Sequence, residues 1–142
     1  PGVLAIRFVK REDVMPKWSE YKAQAEARGS LAFEVFVAIS TPVADAMSRF
    51  ADVLPRHLDH VRSLEAKGAL MFAGPLSDET GEEMQAMGML VLRAASLEEA
   101  RALVEADPMH SEGVRSFSLR RWLINEGSVN LTLGLSTKAI TL

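Results

Sequence analysis

The chain of 142 residues has a mass of 15.5 kDa; 48% of its residues are hydrophobic, 25% are charged, and the formal net charge is −3. These values are typical of one globular domain that is large enough to fold without a disulfide or a structural metal. The chain also lacks the excess of basic residues that nucleic-acid binders carry. The absence of cysteine excludes thiol catalysis and Cys-ligated metals. No apolar run is long enough for a bilayer and no secretory leader pattern opens the chain. We therefore expect a cytoplasmic protein without nucleic-acid or membrane partners.

The first 30 residues are predicted to form an N-terminal strand–helix extension. Residues 3–9 are short and β-branched, which is typical of a strand. Residues 10–28 favour a helix, but Pro16 is tolerated only in a first turn, so the helix is predicted to begin near Met15. Gly29 is the predicted stop.

The clearest strand covers residues 31–40, where apolar side chains alternate on both faces. This pattern indicates a central strand, which Pro42 ends. The remaining elements are a strand at 69–73 broken by Gly74 and Pro75, a polar hairpin loop at 77–83, a strand at 87–94, a capped helix at 96–106, a strand at 114–124 and a tail strand at 129–135.

Residues 45–67 predict a helix in two pieces that carries a candidate catalytic histidine. Asp45 and Asp52 are suited to cap the pieces, and Pro55 then lies in the permitted first turn of the second. His57 would lie near that helix start, where the positive end of the dipole favours neutral imidazole. A neutral histidine there is a suitable general base.

Asp107 is the predicted partner of His57. It precedes Pro108 at the end of the helix at 96–106, where the helix dipole does not favour a carboxylate. A hydrogen bond to a histidine would explain its position, and an ordinary turn aspartate is the alternative.

Other chemistry has weaker support. His60 and His110 could join His57 around a metal, but no metal motif surrounds them, so we expect no metal and structural histidines instead. The glycines form neither GxGxxG nor a P-loop, so we expect no nucleotide cofactor. Pro1 could act as an N-terminal base, as in tautomerases, or could simply follow a removed methionine.

The order β-α-β-β-α-β over residues 31–124 predicts an α+β, ferredoxin-like domain with two helices on one face of an antiparallel sheet. We therefore expect three segments: an extension at 1–30, this domain at 31–124 and a tail strand at 125–142. The uncovered sheet face predicts a homodimer that pairs through its sheets. The alternative is that the N-terminal helix or the tail covers this face.

Several short stretches carry a family resemblance: PRHL at 55–58, AGPL at 73–76, ADP at 106–108 and RW at 121–122. In order and spacing, roughly residues 31–122 resemble the YciI-like, or YCII-related, family. The chain departs from that pattern at Leu54, where arginine is usual, in a longer loop at 41–52, and in its two terminal segments.

The resemblance implies a dimeric α+β barrel with a His–Asp pair, which falls here on His57 and Asp107. It also implies chemistry without a cofactor, since the family includes a dehydrochlorinase of a chlorinated hydroxyhydroquinone. Muconolactone isomerases share the barrel architecture.

Two functions follow as hypotheses. The first is a cofactor-free lyase or isomerase in which His57 abstracts a proton from a small, aromatic-degradation-derived substrate. Arg56 or Arg121 would hold an anionic group, and the backbone at Gly74 and Pro75 would approach the ligand closely.

The second function is a non-catalytic small-ligand-binding or regulatory module on the same barrel. An enzyme requires the predicted His–Asp pair within hydrogen-bonding distance beside an open cavity.

Overall fold

The computed structural model describes residues 15–141, which form two units. One unit is residues 33–124, and the described parts of the other are residues 15–32 and 125–141. The predicted strand at 3–9 and Pro1 lie outside the described residues. The elements in chain order are α1 (Trp18–Ala27), β1 (Phe33–Pro42), α2 (Met47–Ala66), β2 (Leu70–Ser77), β3 (Met84–Leu92), α3 (Leu97–Glu105), α4 (Pro108–Ser111), β4 (Arg115–Ile124), β5 (Thr132–Leu133) and β6 (Ile140–Thr141).

The unit at 33–124 is an antiparallel four-stranded sheet with strand order β2-β3-β1-β4. The prediction of an α+β domain is confirmed. β1 lies between β3 and β4, as its two apolar faces indicate, and pairs with β4 along its whole length, from Phe33 opposite Ile124 to Pro42 opposite Arg115.

One face of the sheet packs against helices α2 and α3. Alternate sheet residues form a buried cluster with one residue of α2 and two of α3: Phe36, Ala38, Leu90, Leu92, Leu64, Ala100 and Val104. Burial of each large side chain contributes about 1.5–3 kcal/mol. On the opposite face Val35 and Val91 are buried, whereas Phe72 and Trp122 remain 55% and 43% exposed.

Helix α2 differs from its prediction because it is continuous. It begins at Met47 and runs through Pro55, which cannot donate a hydrogen bond to the carbonyl of Ala51. Buried Val53 and Leu64 anchor the helix on either side of that gap. His57 therefore lies well inside α2, and the prediction that it lies near the N-terminus of a helix is wrong.

Strand β2 also continues where a break was predicted, through Gly74 and Pro75. Proline is tolerated there because β2 is an edge strand. The hairpin loop is confirmed: Asp78 N–H donates to the carbonyl of Glu83 at 2.7 Å.

The helix cap of α3 is confirmed, since Ser96 Oγ accepts from Glu99 N–H at 3.0 Å. After α3 the chain forms a further short helix, α4, with Asp107 at its N-cap. The carboxylate therefore lies at the start of a helix as well as beyond the end of one.

In the other unit, α1 begins at Trp18, later than predicted, and Gly29 follows it with φ +79°. Leu31 N–H donates to the carbonyl of Asn125 at 3.2 Å and joins the two segments. The predicted tail strand is reduced to β5, which pairs with β6. Within residues 15–141, no helix combines the length and apolarity that a membrane crossing requires.

Candidate active site

His57 and Asp107 are in direct contact. His57 Nδ1 lies 2.7 Å from Asp107 Oδ2 and 3.0 Å from Oδ1. The aspartate is 1% exposed, whereas the histidine side chain is 25% exposed. The pair joins the middle of α2 to the start of α4, so residues 50 positions apart in the chain form it.

Local chain geometry fixes the Asp107 carboxylate. Asp107 is extended at φ −65° and ψ 126°, as a residue before proline favours, and its Oδ1 accepts from Met109 N–H at 2.9 Å. Burial raises the pKa of Asp107, but the hydrogen bonds from His57 and Met109 outweigh it and hold that pKa below its ordinary value.

This contact determines which nitrogen of His57 is basic. An ionised carboxylate only accepts hydrogen bonds, so the proton of neutral His57 is placed on Nδ1. Nε2 then keeps its lone pair, and it bonds to no protein group among residues 15–141. A bound molecule can therefore use Nε2 as a proton acceptor.

The pair lines a cavity of about 260 Å³, which is just below the usual range of about 300–1,000 Å³ for small-molecule sites. Gly74 and Pro75 contribute to its wall. Its other apolar walls come from α2, α4 and the β2–β3 hairpin: Phe50, Leu58, Val61, Ala73, Met84, Ala86, Met87, Gly88, Met89, Leu90 and Met109.

A second hydrogen-bond network lines the same cavity and joins His110, Ser40 and Arg115. His110 Nδ1 donates to the carbonyl of Val104 at 2.8 Å, so Nε2 accepts from Ser40 Oγ, also at 2.8 Å. Arg115 Nε donates to Ser40 Oγ at 2.8 Å, and Nη2 donates to the carbonyl of Ser40 at 3.0 Å and to that of Ala86.

Burial determines the direction of both pKa shifts in this network. It lowers the pKa of His110 below 6.5, although the bond to Val104 and the charge of Asp107 act in the opposite direction. It also lowers the pKa of Arg115, against the charge of Asp107. Arginine nevertheless remains charged at any ordinary pH.

The structure does not bring the two predicted anion-binding arginines to the cavity. Arg56 is paired with Glu112 at the surface, with Nη2 2.8 Å from Oε2, and Arg121 is exposed outside the lining. His60 also lies apart, with Nε2 donating to the carbonyl of Leu103 at 3.1 Å. Among the described residues, no group of three His, Cys, Asp or Glu is arranged to hold a metal.

Sequence reasoning missed Ser40 and Arg115 as site residues and considered His110 only as a metal ligand. The sequence does contain a signal for Arg115. On β4 it shares the helix-covered face of the sheet with Phe117 and Leu119, since these residues are two positions apart. A charged residue in phase with buried residues indicates either an ion pair or a ligand site.

The chain is similar to known proteins in both sequence and fold. It is 33% identical to the uncharacterized protein YjpA of Bacillus subtilis over 70 residues, which are 49% of this chain and 75% of YjpA. Its fold is similar to that of 5-chloro-2-hydroxyhydroquinone dehydrochlorinase (TftG) from Burkholderia phenoliruptrix, solved in complex with 2,5-dihydroxybenzoquinone. The TM-score is 0.51 and the identity 22%, over 62% of this chain and 92% of the other.

The family assignment rests on a longer match. The model of the YCII-related domain matches residues 35–123, which include all four strands of the sheet in whole or in part and every residue of the two cavity networks. The chain therefore belongs to the YCII-related domain family.

Proposed function

We propose that this protein is a cofactor-independent lyase or isomerase in which His57 is the general base. The observation that carries the proposal is the bond between His57 Nδ1 and Asp107 in the wall of the cavity, which leaves Nε2 basic and without a partner among residues 15–141. Histidine in such a position contributes about 10²–10⁴-fold to the rate of a proton transfer.

The proposed reaction begins when His57 Nε2 takes a proton from an acidic carbon or hydroxyl of the substrate. Asp107 stabilises the imidazolium that forms. The electron pair left on the substrate then either expels a leaving group as an anion or moves a double bond. In the first case His57 then releases its proton to solvent, and in the second it returns the proton to another atom of the substrate.

The dehydrochlorinase with a similar fold supports elimination from a hydroxylated ring as one member of this class. The strand order and the two helices on one face also support a ferredoxin-like fold. The part of the opposite face that stays exposed, with Phe72 and Trp122, supports the dimeric α+β barrel, in which a second copy covers that part.

The test is a screen of chlorinated hydroxyquinones, with chloride release as the readout, and of lactones, with absorbance as the readout. His57→Ala should lose about 10²–10⁴-fold in rate while folding normally. The matched control is His60→Ala, one turn further along α2 and outside the cavity, which should retain full activity.

Turnover by His57→Ala at the wild-type rate would contradict the proposal. Binding of the same compounds without turnover by the wild-type protein would instead support the non-catalytic small-ligand-binding module.

A further inference from the structure

We infer that the substrate is a one-ring organic acid whose ionised oxygen binds Arg115. This inference rests on the proposed function, because it names the substrate class of the same cavity. It is carried by a half-buried guanidinium in the cavity wall that has no ionic partner in the described chain.

The guanidinium of Arg115 is held in place by neutral groups. Its Nε and Nη2 donate to the hydroxyl and carbonyl of Ser40 and to the carbonyl of Ala86. Within residues 15–141, no carboxylate lies within ion-pair distance of it. The nearby acid, Asp107, is already bound to His57 and Met109.

One terminal nitrogen of the Arg115 guanidinium remains available to a ligand. Arg115 Nη1 bonds to no group of the described chain, and it is not among the fully buried side-chain atoms that lack a partner. It is therefore accessible, and the residue that carries it lines the cavity. A charged donor in a mostly apolar cavity favours an anion, since both gain from replacing water with a fixed partner.

The Ser40–His110 contact orients this donor. His110 Nδ1 donates to the carbonyl of Val104, so its Nε2 must accept the hydrogen bond from Ser40 Oγ. Because Ser40 has no second proton, its Oγ acts as the acceptor for Arg115 Nε. These bonds fix the guanidinium plane before a ligand arrives, which reduces the entropy lost on binding. Arg115 and His57 would hold two different parts of one molecule.

The chemistry of the proposed reaction requires such a group. Proton transfer to His57 leaves a negative charge on the substrate, and a fixed cation in the same cavity stabilises that charge as it develops. The apolar walls and the volume of about 260 Å³ suit the uncharged body of a single ring.

The experiment compares pairs of probes of similar shape and different charge by calorimetric titration at pH 7.5: benzoate with benzamide, and 4-nitrophenolate with nitrobenzene. The wild-type protein should bind at least one anion about 10–100-fold more tightly than its neutral partner, as expected for a charge-assisted hydrogen bond. Arg115→Met should abolish this preference, and Arg115→Lys should retain part of it.

Arg121→Met is the matched control, because it removes the same charge from the same strand outside the cavity. It should retain the wild-type preference. The inference is overturned if the wild-type protein binds no anion, or binds the anions no more tightly than the neutral probes. It is also overturned if Arg115→Met retains the preference. If Arg115→Met does not fold, the ratio of the wild-type affinities for the anionic and neutral probes can still overturn the inference.

The binding assay separates this inference from the proposed function. His57→Ala should still prefer anions, since His57 does not bond to Arg115. Anion preference without His57-dependent turnover would refute the general-base proposal alone. His57-dependent turnover without anion preference would refute the inference alone.

Discussion

Asp107→Asn tests whether the carboxylate selects the basic nitrogen of His57. An asparagine has one oxygen where the aspartate uses two. That oxygen is required by Met109 N–H, which donates to Oδ1 at 2.9 Å. The amide NH₂ would then replace Oδ2, 2.7 Å from His57 Nδ1. An NH₂ group can only donate, so Nδ1 would lose its proton and Nε2 would carry it.

The expected loss follows from two effects of this exchange. The base would present a proton instead of a lone pair, and the imidazolium would lose a charge-assisted hydrogen bond of about 1.5–3 kcal/mol. We expect kcat/KM to fall by about 10²–10⁴-fold, as in other enzymes in which histidine is held in the wrong tautomer.

Two-bond ¹H–¹⁵N correlation spectra of the imidazoles supply a readout that needs no substrate. Wild-type His57 should show the Nδ1–H pattern, and Asp107→Asn should show the Nε2–H pattern. Asp59→Asn is the matched control, since it makes the same change at an exposed ion pair with Arg62 on α2. An Nδ1–H pattern in Asp107→Asn, or full activity in that variant, would refute the reasoning.

Two further predictions concern stability and assembly. The pKa of His110 is lower in the folded chain than its ordinary value of 6.5, so His110 contributes stability that is complete above pH 6.5 and is lost as the pH falls through its folded pKa. The free energy of unfolding, measured with urea between pH 7.5 and 5, should therefore fall less steeply in His110→Gln than in the wild-type protein, and an unchanged slope would contradict this. Phe72→Arg should convert the proposed dimer to a monomer in sedimentation equilibrium, whereas Met47→Arg, at an exposed apolar residue away from the sheet, should not; a monomeric wild-type protein would refute the dimer.

The order of helices and strands could be predicted because it depends on short-range patterns. Alternation identified β1, and the Ser96 cap identified the start of α3. The errors in the extent of α2 and β2 occurred at proline. Pro55 and Pro75 each remove one backbone donor, and whether the element ends there depends on tertiary packing or on the strand's position at the sheet edge, neither of which is visible locally.

The contact between His57 and Asp107 was predicted from the wrong local geometry. The expected helix start at Pro55 is absent, and Asp107 caps a helix that the sequence pattern did not indicate. The Ser40–Arg115 bonds could not be predicted, because they depend on the register that places the end of β1 beside the start of β4.

Each of the two networks at the cavity leaves one group available to a ligand. Asp107 is bound by Met109 and His57, which leaves the lone pair of Nε2. Arg115 is bound by Ser40 and Ala86, which leaves the donors of Nη1. A base and a cation in one apolar cavity suit a molecule that is already an anion and becomes more negative when it loses a proton. An enzyme can use both groups in one step, because the cation stabilises the charge that the base creates.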